Sequence, residues 1–260
     1  MGGWGKIKSR LCRFYFDLRP TSVIFAIQKP TVKMKIGIIV AMDKELLQLK
    51  SVLDDSTVER RNNKDFIIGS MAGKDIVLQK CGIGKVNSAV GAVEMINNYH
   101  PDVIISTGVA GGADSRMNVC DVVVGTEYRY HDAYCGDDCR FGQIMGMPEA
   151  FFAPKALVEK AVAACDGMAV HTGLIASGEW FVDTRNKMRA IIARMPAAVA
   201  VDMESCSIAQ TCHIYGVPFI SFRIISDLPL SDNKASQYFD FWARLAEGSF
   251  NVTRRFIAAL

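Results

Sequence analysis

The sequence lacks several features that would indicate common functions. It has no apolar run of the roughly 18 to 20 residues that a membrane-spanning helix needs. It has no G-x-G-x-x-G turn after its first predicted strand and no P-loop, so the usual dinucleotide and nucleotide-phosphate fingerprints are absent. It also has no C-x-x-C pair, which is typical of structural zinc sites. These absences predict no membrane partner and no common nucleotide cofactor.

Positive charge is also scarce outside the N-terminus. The net charge is +3, but residues 1–33 hold seven Lys or Arg and one acid, whereas 34–260 hold 23 basic and 26 acidic residues. Because binding to a polyanion needs a surplus of positive charge, the main part of the chain is not expected to bind nucleic acid.

Cysteine is present but is not arranged as a disulfide framework. The eight cysteines are scattered, and several lie in apolar, core-like contexts. This pattern favours reduced thiols in a cytoplasmic protein. His131, Cys135 and Cys139 recur at four-residue intervals and could contribute to a metal site. Because no fourth ligand stands nearby, we expect a solvated loop there and no metal.

The first 33 residues differ from the rest of the chain. Their apolar run SVIFAI is short and follows Asp17, Arg19 and Pro20, which does not suit a secretory signal. A second methionine, Met34, opens the apolar run MKIGIIVAM. We therefore predict a dispensable or disordered extension over 1–33 and one domain over 34–260.

From Met34 onward, apolar runs alternate with segments of helical periodicity. KIGIIVA, DVIISTGVAGG, DVVVGTEYRY, AAVAVDM and VPFISFRIISD predict strands, the second running into a glycine-rich turn. A hairpin is predicted around Ala72 and Gly73, and an amphipathic helix over 236–258. This alternation predicts an α/β fold around a central, largely buried sheet, whose ligand would sit beyond the carboxyl ends of the strands.

Three acids lie at or just after predicted strands, namely Glu45, Glu204 and Asp227. Each alone could be a helix cap or an exposed loop residue. If the sheet is parallel here, all three converge at one edge, where gathered like charges cost stability unless they serve a ligand or catalysis.

The glycine turns and one aromatic pair indicate the kind of ligand. GIGKV (82–86) and TGVAGG (107–112) follow strands and present backbone, including that of Ala110 and Gly111, to a flat ligand. Phe181, in SGEWFVD, could stack on a heterocycle. The alternative is that Trp180 and Phe181 are simply buried in the core.

An ordered set of motifs resembles a known family. MKIGIIVAMDKEL, GIGKVNSAVGA, PDVIISTGVAGG, YRYHDA, SGEWFVD, VDMESCSIAQTC and FRIISD together resemble the bacterial methylthioadenosine/S-adenosylhomocysteine nucleosidases of the purine nucleoside phosphorylase-like superfamily. The resemblance covers Met34 to the C-terminus. It implies a single-domain, three-layer α/β/α fold with a central mixed sheet, a homodimer, and cofactor-free hydrolysis of adenine from 5′-thioribosyl nucleosides in methionine salvage.

The resemblance also implies roles for individual residues. Asp227 would be the general acid, with a raised pKa, and Glu45 would activate water. Glu204 would bind the ribose hydroxyls. The remaining residues implied to contact or support substrate are Met42, Ile83, Phe181, Val182, Met203, Arg223, Ser226 and Phe239. A partner subunit would close the pocket with residues from about 131–147.

Some positions depart from the family pattern, and other functions remain open. Val109 replaces a frequent Ser, Asp202 a more usual Glu, and Met145 an expected Pro, which leaves the preferred 5′-substituent undecided. The alternatives are a phosphate-dependent nucleoside phosphorylase, a hydrolase of another adenine nucleoside such as aminodeoxyfutalosine, and a non-catalytic nucleoside-binding module. Phosphorolysis needs cations around the phosphate, and only Arg223 is a candidate.

Overall fold

The structure, a computed structural model, describes residues 33–231, 241 and 251–260. Its strands are β1 (Lys35–Val40), β2 (Asp54–Arg61), β3 (Lys64–Met71), β4 (Lys74–Lys80), β5 (Val103–Gly112), β6 (Val122–Tyr130), β7 (Phe151–Phe152), β8 (Val170–Ser177), β9 (Ala198–Asp202) and β10 (Phe219–Asp227). Its helices are α1 (Asp43–Lys50), α2 (Lys85–Tyr99), α3 (Lys155–Ala164), α4 (Arg185–Arg194), α5 (Ser205–Tyr215) and α6 (Asn251–Ala259). The predicted extension, apart from Lys33, lies outside the described residues, as do Phe239 and most of the predicted 236–258 helix.

The predicted α/β fold class is confirmed. The strands form one mixed sheet in the order β10-β6-β8-β9-β5-β1-β4-β3-β2, with β7 paired to β6. At its centre β1 runs parallel to both β4 and β5, and β5 runs parallel to β10. Their near-continuous apolar sequences suit strands that are covered on both faces.

The sheet also closes on itself, which strand periodicity does not indicate. β10 pairs with β5 on one side and with β6 on the other, so the five strands β10, β6, β8, β9 and β5 form a ring. Strands β1, β4, β3 and β2 extend from β5 as an open sheet. Closure places the ends of distant strands side by side at the rim of the ring.

Two apolar clusters cover the two faces of the sheet. Alternate residues of β1 point to opposite sides, so Ile36 and Ile38 join a cluster with residues of α1, α3 and α6, while Ile39 joins one with residues of α2 and α5. Helices on both faces match the predicted three layers. Among the described residues, no helix is both long and apolar enough to cross a bilayer.

The local predictions succeeded where the apolar pattern was strong. The hairpin joining β3 to β4 turns at Ala72 and Gly73, both with positive φ, as predicted. The edge strand β2 was missed, because its sequence DDSTVERR is almost wholly exposed. TGVAGG was predicted as a turn, but it forms the last part of β5.

Replacement of a core residue of β1 tests the packing. Ile38 is fully buried. Ile38→Ala should lower the free energy of unfolding by about 2–5 kcal/mol, because it removes buried methyl groups and leaves a cavity. Val58→Thr, at a half-exposed position of β2, should change it by only about 0.5 kcal/mol. Urea denaturation of both variants measures the difference, and equal effects would contradict the packing described here.

Candidate active site

A cavity of about 110 Å³ opens where several strands end. It is lined by four carboxylates, small residues of β5 and a group of large apolar side chains. These residues are Ala41, Met42, Glu45, Ile83, Val109, Ala110, Gly111, Trp180, Phe181, Val182, Val201, Asp202, Met203, Glu204, Ser226 and Asp227.

The topology explains why the three predicted acids meet. Glu45 follows β1 and Asp227 ends β10, and both strands run parallel to β5, as the sequence argument required. Glu204 follows β9, which runs antiparallel to β5. It reaches the same cavity because the pairing of β9 with β5 is confined to the glycine-rich end of β5, at Gly111 and Gly112.

Glu45 is held rigidly by backbone amides. Its Oε2 accepts hydrogen bonds from the N–H groups of Ala41 and Met42, both at 2.9 Å, and its Oε1 accepts one from Val109 at 3.1 Å. It lies in the first turn of α1 and caps that helix by reaching back to Met42. Burial raises the pKa of Glu45, and the Arg223 charge and these three hydrogen bonds oppose that rise. Gly108 leaves the necessary space, because a Cβ there would collide with the Glu45 carboxylate.

Glu204 links the cavity to the start of α2. Its Oε1 accepts a hydrogen bond from the Gly84 N–H at 3.0 Å, and its Oε2 lies 3.9 Å from the Arg223 guanidinium. Burial raises the pKa of Glu204 to about 7, although the Arg223 charge opposes the shift. This carboxylate can therefore change protonation near neutral pH.

Asp227 lies at the end of β10 and is 4% exposed. The Ser226 hydroxyl donates to its Oδ1 at 2.7 Å and lies 3.3 Å from the Ala110 carbonyl. The Ser226 hydroxyl therefore connects the acid to the backbone of β5 and orients it in the wall of the cavity.

Asp202 and Arg223 form a buried ion pair behind the acids. Arg223 Nη2 lies 2.9 Å from Asp202 Oδ2, and both side chains are 1% exposed. Arg223 also donates to Ser106 and Ser205, while the Ser177 hydroxyl donates to Asp202 at 2.6 Å. Asp202 further accepts from the Ser205 N–H at the start of α5, so it caps that helix as well.

The apolar wall is open to the outside. Trp180 is 46% exposed, Phe181 55% and Ile83 50%, and all three line the cavity. The alternative that Trp180 and Phe181 belong to the core is therefore wrong for this chain. Both follow β8 in a segment without regular secondary structure. We call these two residues the aromatic wall.

Most residues named from the sequence line this cavity. They are Met42, Glu45, Ile83, Ala110, Gly111, Phe181, Val182, Met203, Glu204, Ser226 and Asp227. Arg223 does not line it, because its guanidinium is directed at Asp202 and two serines. The sequence argument assigned no ligand role to Trp180 or Asp202. The sequence signal that could have identified them is adjacency, because Trp180 directly precedes Phe181 and Asp202 directly precedes Met203.

The cavity is acidic. None of the described residues that line it is Lys or Arg. The part of the chain that the structure describes also holds no group of three or more His, Cys, Asp or Glu side chains placed to bind a metal ion. The arrangement can bind hydroxyl groups and an electron-poor ring, and it disfavours an incoming anion.

The raised pKa of Glu204 predicts a pH-dependent stability. Because the folded protein holds this proton more tightly than the unfolded chain does, Glu204 favours folding below about pH 4.5 and loses that contribution as the pH rises through about 7. Glu204→Gln should therefore gain up to about 3 kcal/mol of stability relative to the native protein between about pH 4 and pH 8. Urea denaturation across this range measures the gain. The exposed Glu159→Gln is the control, and a Glu204→Gln curve parallel to that of the native protein would refute the shift.

Comparison with known proteins identifies the family. Residues 35–258 match the model of the Phosphorylase superfamily. The chain is 39% identical over 223 residues to the 5′-methylthioadenosine/S-adenosylhomocysteine nucleosidase of Maridesulfovibrio salexigens, covering 84% of this chain and 96% of that protein.

Two solved structures have the same fold. One is the S. pneumoniae nucleosidase of the same name with the transition-state inhibitor MT-ImmA, at 31% identity and TM-score 0.82, covering 87% of this chain and 99% of that one. The other is futalosine hydrolase of Helicobacter pylori, at 26% identity and TM-score 0.81, covering 87% and 98%. The chain therefore belongs to the phosphorylase superfamily and, within it, to the family of the methylthioadenosine/S-adenosylhomocysteine nucleosidases.

Proposed function

We propose that this protein hydrolyses the N-glycosidic bond of 5′-methylthioadenosine and S-adenosylhomocysteine, releasing adenine and the 5′-thioribose product. The observation that carries the proposal is the set of three buried carboxylates, Glu45, Glu204 and Asp227, in one cavity beside an exposed aromatic wall. Family membership supplies the substrate class. The reaction needs an acid, a base and a negative charge near the sugar, and the three carboxylates can divide these roles.

Glu45 is the general base in this proposal. Three backbone N–H groups hold its carboxylate in one orientation, so little ordering is needed when water binds. Its raised pKa brings its basicity closer to neutral pH, where a base is most effective. The water loses a proton to Glu45 as its oxygen bonds to the anomeric carbon.

Glu204 and Met203 are the proposed sugar-binding residues. Cleavage of the glycosidic bond leaves an electron-poor ribose ring with oxocarbenium character. The Glu204 carboxylate can accept hydrogen bonds from the ribose hydroxyls and stabilise that positive charge in a poorly solvated site. Its raised pKa implies that this stabilisation weakens when the pH falls below about 7.

Asp227 acts on the leaving group. Adenine departs as an anion unless it is protonated, and Asp227 would deliver a proton to the imidazole half of the base. Ser226 fixes the acid, Phe181 stacks on the purine, and the backbone of Val182 reads its edge. The stacking assignment rests on Phe181 being half-exposed and lining the cavity.

The charges favour water over phosphate as the nucleophile. Phosphate binding requires cationic or multiple N–H donors. Arg223 is the nearest candidate, but it is 1% exposed and paired with Asp202. A phosphate ion entering this cavity would instead face Glu45 and Glu204. A phosphorylase on this site is therefore disfavoured.

We also propose that the protein is a cytoplasmic homodimer. Val86 and Val90, one turn apart on α2, are 73% and 44% exposed, and Met145 in the predicted partner-facing loop is 64% exposed. Exposed apolar groups of this kind are typical of subunit interfaces. The seven cysteines in the described residues are all free thiols, which supports a reducing compartment.

Release of adenine tests the reaction. Purified protein should release adenine from methylthioadenosine in phosphate-free buffer, with free methylthioribose as the sugar product, and added phosphate should not raise the rate. Glu45→Gln should lower kcat by about a thousandfold, because it removes the base, while adenine still binds. Glu159→Gln, an exposed acid on α3, is the matched control and should keep full activity.

The other outcomes separate the alternatives. Release only with phosphate would establish a phosphorylase and refute the role of Glu45. Release from a futalosine-type substrate but not from methylthioadenosine would keep the hydrolytic reaction and assign it a different adenine nucleoside as substrate. Binding of adenine nucleosides without any turnover would indicate a binding module.

Sedimentation tests the subunit assembly. The native protein should sediment at about twice the 28.6 kDa chain mass. Val90→Lys should shift the population toward monomer, because it places a charge in the proposed apolar interface. Val58→Lys, on the half-exposed edge strand β2, should leave the mass unchanged. A native protein that sediments as a monomer would refute the dimer.

A further inference from the structure

The N-terminus of α2 receives two carboxylates, one from Glu204 in the cavity and one from Glu179 in the segment that follows β8. The Gly84 N–H donates to Glu204 at 3.0 Å, and the next amide, that of Lys85, donates to Glu179 at 2.7 Å. Amides at a helix start have no partner within the helix, and the helix dipole favours negative charge there. The unpaired amides and the helix dipole therefore stabilise both carboxylates at this helix start.

Glu179 is also held through its backbone. Its N–H donates to Asp132 Oδ2 at 2.8 Å, and the Lys85 ammonium lies 2.9 Å from both oxygens of Asp132. The Asp132 side chain is 8% exposed and that of Lys85 29%. Lys85, Asp132 and Glu179 thus form a closed set of contacts, in which Lys85 binds Glu179 both directly and through Asp132. We call these three residues the latch.

Two glycines leave the space that the latch needs. A Cβ at Gly84 would lie 2.6 Å from Glu179 Oε2, and Gly84 has a φ of +96° that other residues rarely adopt. A Cβ at Gly178 would lie 2.8 Å from Asp132 Cγ and would overlap the ring of His131. A side chain at Gly84 would push Glu179 away from α2, and one at Gly178 would push the segment after β8 away from His131 and Asp132.

The latch is adjacent in the chain to the aromatic wall. Glu179 immediately precedes Trp180 and Phe181, which are half-exposed and lie in a segment without regular secondary structure. The Trp180 ring rests 5.5 Å from the ring of His131, the neighbour of Asp132. Fixing a binding surface before the ligand arrives lowers the entropy cost of binding.

We propose that Glu179, acting with Lys85 and Asp132, is a positioning residue that holds the Trp180–Phe181 wall against α2 and so sets the affinity for the substrate. The inference rests on the proposed function, because it takes the wall to contact the purine. Gly84 and Lys85 are consecutive, and their amides bind Glu204 and Glu179 respectively. The same helix end therefore also fixes the position of this wall relative to Glu204.

Kinetics of latch variants test the proposal. Glu179→Ala should raise KM for methylthioadenosine about tenfold and leave kcat within about threefold, because the wall binds substrate and transition state alike. Glu179→Gln keeps an acceptor oxygen for the Lys85 amide and should raise KM less. Asp132→Asn should act in the same direction as Glu179→Ala, and Glu159→Gln should change neither constant. Thermal melting of each variant identifies any general loss of folding.

A second readout does not depend on turnover. With Trp4 and Trp242 replaced by Phe, Trp180 is the remaining tryptophan. Iodide should quench its fluorescence about twice as efficiently in the Glu179→Ala variant as in its parent, and Glu159→Gln should not change the quenching. Unchanged KM together with unchanged quenching would overturn the latch, as would a fall in kcat at constant KM.

The two proposals fail in different ways. If the native protein releases no adenine, the proposed function is wrong, and the quenching comparison alone decides whether Glu179 holds Trp180. If the native protein is active but the Glu179 and Asp132 variants behave like Glu159→Gln, the function stands and the latch is wrong.

Discussion

The buried ion pair between Arg223 and Asp202 is the interaction on which the other features of the site depend. Taking both charges out of water costs several kcal/mol per ion, and their attraction offsets that cost only with good geometry and further hydrogen bonds. Here the pair is 2.9 Å apart, and Ser106, Ser177 and Ser205 supply the additional bonds. These groups come from β5, β8, β9, β10 and α5, so one polar cluster joins four strands of the closed ring to the helix that follows β9.

The same guanidinium decides the electrostatics of the cavity. Its charge lowers the pKa of both Glu45 and Glu204, against the larger effect of burial. Without it, three carboxylates in a poorly solvated space would favour protonation or local opening. Because Arg223 acts from behind the wall, its charge offsets the acids and presents no cation to a ligand. A site built in this way suits a neutral nucleoside and water better than an anionic nucleophile.

Backbone amides do much of the positioning that side chains do in other sites. Three hold Glu45, and two consecutive amides at the start of α2, those of Gly84 and Lys85, hold Glu204 and Glu179. These donors belong to β5, to the residues directly after β1 and to the start of α2. Glycines at 84, 108 and 178 allow the close approach, because a Cβ at any of them would meet a functional side chain or one of its neighbours. The small residues are therefore as much a part of the site as the acids.

The sequence by itself determined the α/β class, the order of most elements and the candidate acids, because buried strands and amphipathic helices leave strong periodic patterns and because acids at strand ends are conspicuous. It could not show the exposed strand β2, which has no apolar pattern, or the continuation of β5 through its glycines. It also could not show that β9, which precedes Glu204, runs antiparallel to β5. Nor could it show that the Arg223 guanidinium is directed away from the cavity or that Glu179 contacts Lys85. Each of these depends on strand pairing and contacts between residues far apart in the chain. Local periodicity records which face of an element is buried, and only the tertiary structure decided which faces and ends meet.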